Sequence, residues 1–249
     1  MAVCPASPTL SALRVVLVET SHPGNIGAVA RAMKTMGLTD LRLVGPQEFP
    51  CADATARASG ADDLLQEAVV CERLGEALSG CIYAFAATAR LRELSHVEFT
   101  PREAAAQAIS RAVEGPVAVV FGREKHGLSN VEVDACQALI RIPANAHYSS
   151  LNLAAAVQIV AYELRMAALL EAPSPGNRVP VGIDELEGLY GHFERALRTI
   201  GYYDPDNPGK LMRRLRRLMA RAELDGAELR ILRGILTAAE RSVAKRGAP

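Results

Sequence analysis

Short apolar runs and amphipathic stretches alternate along the first two thirds of this chain. Residues 14–18, 41–44, 81–86, 117–121 and 139–142 have the length and apolar content of buried strands. Interleaved with them, residues 26–36, 101–113 and about 151–170 repeat apolar side chains at helical spacing. That alternation predicts an α/β fold, with a parallel sheet covered by helices on both faces. In residues 171–182, EAPSPGNRVPVG, three prolines and two glycines interrupt the pattern and predict a linker. Beyond it only helices are expected, over residues 183–199, 210–222 and 227–244. The expected organisation is one domain over 1–170, a linker over 171–182, and a small all-α region over 183–249.

Composition narrows the class. A chain of 249 residues with 49% hydrophobic content is long enough for a sizeable core. No apolar run approaches membrane-spanning length, and the first residues lack the basic and apolar segments of a signal peptide. A cytoplasmic protein without a membrane partner is therefore expected. The five cysteines (Cys4, Cys51, Cys71, Cys81, Cys136) are scattered and never in CxxC spacing, which predicts reduced thiols. The histidines form no ligand-spaced pair, so no metal site is expected.

Net charge is zero, but its distribution is uneven. Residues 1–170 carry 14 Lys and Arg against 17 Asp and Glu; residues 171–249 carry 14 against 11. Six basic residues and no acidic one fall in KLMRRLRRLMAR, residues 210–221. A neutral protein can still present a basic stripe to a polyanion. Leu211, Leu215, Leu218 and Ala222 form the expected packing stripe of that helix. Arg213, Arg214, Arg216 and Arg217 are left as candidate RNA contacts, or as a solvated basic face.

Three segments carry candidate chemistry. In ETSHPGNIGAVARAM a strand breaks at a Pro-Gly turn, and Asn25 is expected to cap the following helix. Gly24 and Gly27 allow close approach of a partner, and the helix N-terminus suits an anion such as a phosphate. Ile26, Ala30 and Met33 share an apolar face, with Arg31 pointing away. GNIG lacks the GxGxxG spacing of a dinucleotide fingerprint, which argues against a nicotinamide oxidoreductase.

In FGREKHGLSN the strand ends at Gly122, and Ser129 with Glu132 forms a capping box for a helix from about Asn130. The intervening loop, with Gly122, Glu124, Gly127 and Leu128, suits backbone recognition of an adenine or sulfonium group; an ordinary strand-to-helix turn is the alternative. In IPANAHYSSLNLA a tight loop holds Ser149, Ser150, Leu151 and Asn152 at the start of an Ala-rich helix. These polar groups face a ligand, with Asn152 in the first turn of the helix, or the serine pair simply caps it.

Together, and in this order, the three segments resemble the TrmH-like ribose 2′-O-methyltransferases of the SPOUT class. The helical tail, with YGHFERAL and LMRRLRRLMARAEL, resembles the bacterial subfamily acting on nucleotide 32 of tRNA. The resemblance implies a SPOUT-type knot, the C-terminal part of the domain threading a trefoil, and a homodimer with each site near the subunit interface. It implies S-adenosylmethionine bound by Ala87, Thr88, Ala89, Gly122, Ile142 and Ser149 to Asn152. Members often carry a hydroxyl where this chain has Ala87. Asn25, Arg31 and Ser150 would lie beside the target ribose, Arg31 stabilising the developing oxyanion while Ser150 and Asn25 orient the hydroxyl. Arg31, Arg90 and Arg92 join the tail arginines as candidate RNA contacts, the partner being tRNA. A relative acting on another tRNA nucleotide or on rRNA, and a non-catalytic RNA-binding relative, are the alternatives.

Overall fold

In a computed structural model, residues 8–89, 96–145, 147–170 and 181–246 are described. The chain divides into two compact units, residues 1–175 and 176–249. The predicted linker lies almost wholly outside the described residues, as do Arg90 and Arg92.

The first unit opens with a short helix, α1 (Pro8–Ser11), followed by β1 (Leu13–Val18), α2 (Pro23–Met36) and β2 (Asp40–Val44). Four small elements follow: α3 (Ala52–Ala58), α4 (Asp62–Glu67), β3 (Val69–Cys71) and α5 (Leu74–Leu78). Then come β4 (Tyr83–Ala87), β5 (Glu98–Phe99), α6 (Pro101–Ala112) and β6 (Val117–Phe121). The unit closes with α7 (Asn130–Asp134), β7 (Ala138–Ile140) and α8 (Leu153–Leu169).

The seven strands form one sheet in the order β3-β2-β1-β6-β4-β7-β5, every pair parallel. Val119 of β6 stands between Val15 of β1 and Phe85 of β4. The central strands are buried along their whole length, which is why the sequence shows unbroken apolar runs there rather than alternation. Successive side chains point to opposite faces. Val15, Leu17, Phe85, Val117 and Val119 share a core with Ile26, Val29 and Met33 of α2, Ala108 and Ile109 of α6, and Val157 and Leu164 of α8. Their neighbours Val16, Ala84, Ala86, Ala118 and Val120 are equally buried on the other face. The helix α5 packs on β2 and β3. Each fully buried Leu, Ile, Val, Met or Phe contributes roughly 1.5–3 kcal/mol.

Helix starts follow local chemistry. Thr100 and Glu103 form a capping box ahead of Pro101, which is pre-shaped for the first turn of α6. Ser129 and Glu132 do the same for α7, as their spacing predicts. Two expectations are corrected. The helix α2 begins at Pro23 with His22 at the cap, so Asn25 lies in the first turn instead of capping it. For α8 the cap is Asn152, whose side chain accepts from the amides of Ala154 and Ala155 at 2.9 and 3.3 Å.

The second unit is helical: α9 (Ile183–Thr199), α10 (Leu211–Ala222) and α11 (Gly226–Arg246). Its own core joins Leu186, Leu189 and Tyr190 of α9 to Met219 of α10 and to Leu229 and Leu236 of α11. The predicted packing stripe of α10 is corrected as well. Leu218 is 47% exposed and Ala222 is exposed, while Met212 and Met219, seven residues apart, make the contact with the core. Unbranched thioethers fill an irregular groove that the leucine spacing does not match.

Candidate active site

A cleft of about 300 Å³ opens at the C-terminal ends of β4, β6 and β7. This is where an open parallel sheet places ligands. Its walls come from three stretches: Ala87 to Ala89 after β4, Phe121 to Lys125 with Gly127 after β6, and Ile140, Ile142 and Ser149 to Leu151 after β7. Leu153 and Ala156 of α8 complete it. Ten of the residues expected from sequence to hold a cofactor therefore converge here: Ala87, Thr88, Ala89, Gly122, Glu124, Gly127, Ile142, Ser149, Ser150 and Leu151.

Two of that set stand elsewhere. Leu128 is 1% exposed and lies in the core beneath the loop, and Asn152 spends its side-chain oxygen on the α8 cap. Phe121, Arg123, Lys125, Ile140, Leu153 and Ala156 were not anticipated. All but Ala156 are within one or two residues of an expected position, so proximity along the chain was the available signal. Ala156 follows from Leu153 by helical spacing alone.

The loop after β6 folds back tightly. The Gly127 amide donates to the Arg123 carbonyl at 2.8 Å, and Gly127 has φ +62°. A Cβ on Gly122 would lie 2.3 Å from Gly127 C and Leu128 N, so only glycine fits beneath the turn.

Two charged residues then tie this loop to the end of β1. Arg123 Nη1 and Nη2 each donate to Glu132 at 3.0 Å, and Nε donates to Glu19 at 2.7 Å; Nη2 also reaches Glu19 Oε1. Glu19 has φ +46°, a left-handed conformation uncommon for a residue with a Cβ. The hydrogen bond and charge of Arg123 hold the Glu19 carboxyl low. Glu132 is held low by Arg123 and Ser129 in spite of its burial, and the Arg123 guanidinium is pushed up by both carboxylates.

Glu124, next in the chain, accepts four hydrogen bonds from the start of α2. Ser21 N and Oγ donate to Oε2 at 3.1 and 2.8 Å; His22 N and Asn25 Nδ2 donate to Oε1 at 3.3 and 2.8 Å. Burial opposes the charge, but these donors outweigh it and bring the pKa down to about 2. The remaining Asn25 oxygen accepts from Asn152 Nδ2 at 3.1 Å. One polar chain thus runs from the β6 loop through α2 to the cap of α8.

The start of α2 is defined residue by residue. The anion held at the start of α2 in this structure is the protein's own Glu124. Asn25 has both ends of its amide engaged, Nδ2 donating to Glu124 and Oδ1 accepting from Asn152. The close partner of Gly24 and Gly27 is α3: a Cβ on Gly27 would lie 2.0 Å from Ala54 O, and one on Gly24 would lie 2.8 Å from Asp53 Oδ2.

Arg31 is exposed on the outer face of α2, opposite the buried Ile26, Ala30 and Met33. It follows Asn25 by about 9 Å of helix and does not line the cleft. Among the described residues no hydrogen bond or ion pair is made by the side chains of Arg31, Lys125, Ser149 or Ser150. Those of Lys125, Ser149 and Ser150 stand at the cleft. In the second unit Arg214 is exposed and Arg213 and Arg217 are partly so. Arg216 is committed internally, ion-paired with Glu187 and stacked 4.3 Å over the Tyr190 ring. Among the described residues no group of three or more His, Cys, Asp or Glu could hold a metal ion, and no helix is long and apolar enough to cross a membrane.

Comparison with known proteins extends the geometry. Residues 12–162 match the SpoU rRNA Methylase family, and residues 184–248 match the C-terminal domain of the tRNA methyltransferase TrmJ. The tRNA (cytidine/uridine-2′-O-)-methyltransferase TrmJ of Cronobacter sakazakii is 48% identical over 240 residues, 94% of this chain and 98% of that one. The tRNA (cytidine/uridine/adenosine-2′-O-)-methyltransferase TrmJ of Pseudomonas aeruginosa is 50% identical, over 92% of this chain and 93% of that one. The crystal structure of TrmJ from Z. mobilis superposes with a TM-score of 0.81 at 37% identity, covering 91% of this chain and 98% of that one.

Proposed function

We infer, for a chain that belongs to the SpoU rRNA methylase family and to its TrmJ branch, that it methylates the ribose 2′-oxygen of nucleotide 32 in tRNA. The observation that carries this reading is the cleft: three loops of the expected composition converge at the C-terminal ends of three adjacent parallel strands. The cleft also fits S-adenosylmethionine. Phe121, Ile140, Ile142, Leu151 and Leu153 give an apolar wall for an adenine, and the free hydroxyls of Ser149 and Ser150 with nearby backbone groups suit a ribose. When bound, that cofactor supplies an electrophilic methyl group on a positively charged sulfur.

The chain's own residues then have three tasks. The loops from 122 to 127 and 149 to 151 hold the reacting partners in line, which is a large part of the rate for a single displacement. Ser150 accepts or donates a hydrogen bond at the attacking hydroxyl, and Arg31, which lies outside its own subunit's cleft, stabilises the oxyanion at a site completed near the subunit interface of the homodimer. On this reading the proton passes to water or an RNA phosphate. Asn25 and Glu124 keep the loops in register.

The same reading covers the rest of the molecule. Arg90, Arg92, Arg213, Arg214 and Arg217 contact the tRNA backbone, with the second unit as the tRNA-binding module. The first unit pairs with a second copy through α8, whose Tyr162, Met166, Leu169 and the adjoining Leu170 form an exposed apolar stripe at helical spacing. On this reading the C-terminal part of the methyltransferase domain threads a trefoil knot. A tRNA substrate puts the enzyme in the cytoplasm.

The test is transfer of labelled methyl from S-adenosylmethionine to unmodified tRNA, with the product nucleotide mapped. A 2′-O-methyl at nucleotide 32 is expected. Methylation elsewhere on the tRNA removes the assigned position, and cofactor binding without any transfer to tRNA removes the substrate.

A further inference from the structure

One aromatic side chain near the cleft has no role in the fold. Tyr148 is 81% exposed, more than Tyr202 at 70% or Tyr162 at 49%, and makes no side-chain hydrogen bond or ring contact among the described residues. Leaving a large ring in water forfeits the stabilisation its burial would give. Its backbone, in contrast, is fixed. Asn145 Oδ1 accepts from the His147 amide at 2.9 Å, and the Asn145 carbonyl accepts from the Tyr148 amide at 3.0 Å, forming a small antiparallel bridge. The ring is therefore presented outward from a turn that ends directly before Ser149 and Ser150 in the cleft wall.

We propose that Tyr148 is a substrate-positioning residue that stacks on the nucleobase of the nucleotide being methylated. The inference rests on the ribose-methylation reading. A 2′-oxygen delivered to the cleft beside Ser150 carries its base on the adjoining sugar carbon. Tyr148 and Ser150 are two residues apart, with their Cα atoms at most about 7 Å from each other. Bases of single-stranded RNA loops splay out and stack on aromatic rings, and a π-face accepts any base. The chain's aromatic content of 4% excludes an extended stacking platform but leaves room for one ring at the reacting nucleotide. Stacking also leaves base identity weakly discriminated, so Tyr148 sets the position of the nucleotide more than the choice among bases.

The experiment compares the full-length enzyme with Tyr148→Phe and Tyr148→Ala. It measures steady-state methylation of unmodified tRNA, cofactor affinity, sedimentation, and binding of tRNA carrying 2-aminopurine at the mapped target nucleotide. Tyr148→Ala is expected to raise KM for tRNA roughly 5- to 100-fold, the equivalent of a lost base–aromatic stack. Cofactor affinity should be unchanged, and Tyr148→Phe should stay within about twofold of wild type. Wild type and Tyr148→Phe should change the 2-aminopurine emission on binding, and Tyr148→Ala should not. An alanine variant with wild-type KM and wild-type emission overturns the stacking role. So does one whose defect follows loss of the dimer in sedimentation, which would make Tyr148 a subunit contact. A wild-type enzyme that methylates no tRNA removes the functional reading itself, and the stacking proposal with it.

Discussion

Glu124→Gln is the substitution that most directly probes the polar chain joining the cleft loop to α2 and α8. Glutamine keeps the shape of the side chain but replaces one acceptor oxygen with an amide donor. That donor must face Ser21 or Asn25 and His22, all of which donate now. The depressed pKa scales the loss. A fall from 4.5 to about 2 corresponds to about 3 kcal/mol at about 1.4 kcal/mol per pH unit. The carboxylate is only partly buried, so solvent screening discounts this to about 1–2 kcal/mol. The sign follows from the direction of the shift. Because the folded-state pKa is depressed, the contribution is full above about pH 4.5 and is lost as pH falls toward about 2. Urea unfolding of the full chain should therefore show the variant less stable by about 1–2 kcal/mol at pH 7, with the gap narrowing below pH 4.5. Calorimetric titration with S-adenosylmethionine should show binding weakened about tenfold, since the loop lining the cleft loses its anchor. Equal stability at pH 7 together with equal cofactor affinity would refute the claim that this network holds the site.

Four other substitutions separate the remaining roles. Arg31→Ala should abolish methyl transfer while leaving cofactor affinity within about twofold, because Arg31 stands outside the cleft; turnover at the wild-type rate would end its assigned role. Gly122→Ala should leave a folded protein by circular dichroism but weaken cofactor binding well over tenfold, since its methyl group would sit 2.3 Å from Gly127 C and Leu128 N. In the second unit, Arg216→Ala should cost about 1 kcal/mol of stability by removing a cation–π contact and an ion pair. Arg214→Ala should leave stability unchanged and raise KM for tRNA, a contrast visible in paired thermal melts and kinetics.

Strong local patterns made most of the sheet legible. The apolar runs ending at Val18, Val44 and Phe121 coincide with strand ends; β6 has no polar position at all, and the polar residues of β1 and β2 are matched to one another, Asp40 pairing with Arg14 and Arg42. The edge strands were not legible: Val69–Cys71 exposes both valines and Glu98–Phe99 has only two residues, too few to show a period. The helices α3, α4 and α5 run seven residues or fewer and escape for the same reason. At the site, proximity in sequence located the loops but not the use of each group. Asn25 reads as a cap from its type, yet Pro23 fits the first turn better, and that frees the amide to bridge Glu124 and Asn152. Pairing across about a hundred residues, such as Arg123 with Glu19, leaves no local trace at all. In α10 the leucine spacing misdirects because methionine makes the contact.

The two ends of the sheet limit how copies of this protein can associate. One end is the three-residue β3 and the other the two-residue β5. Neither offers enough free backbone amides and carbonyls to template a further strand, which is how natural sheets resist edge-to-edge growth. Among the described residues neither edge is a template for a continuous intermolecular sheet, which leaves association to side-chain surfaces rather than to strand pairing.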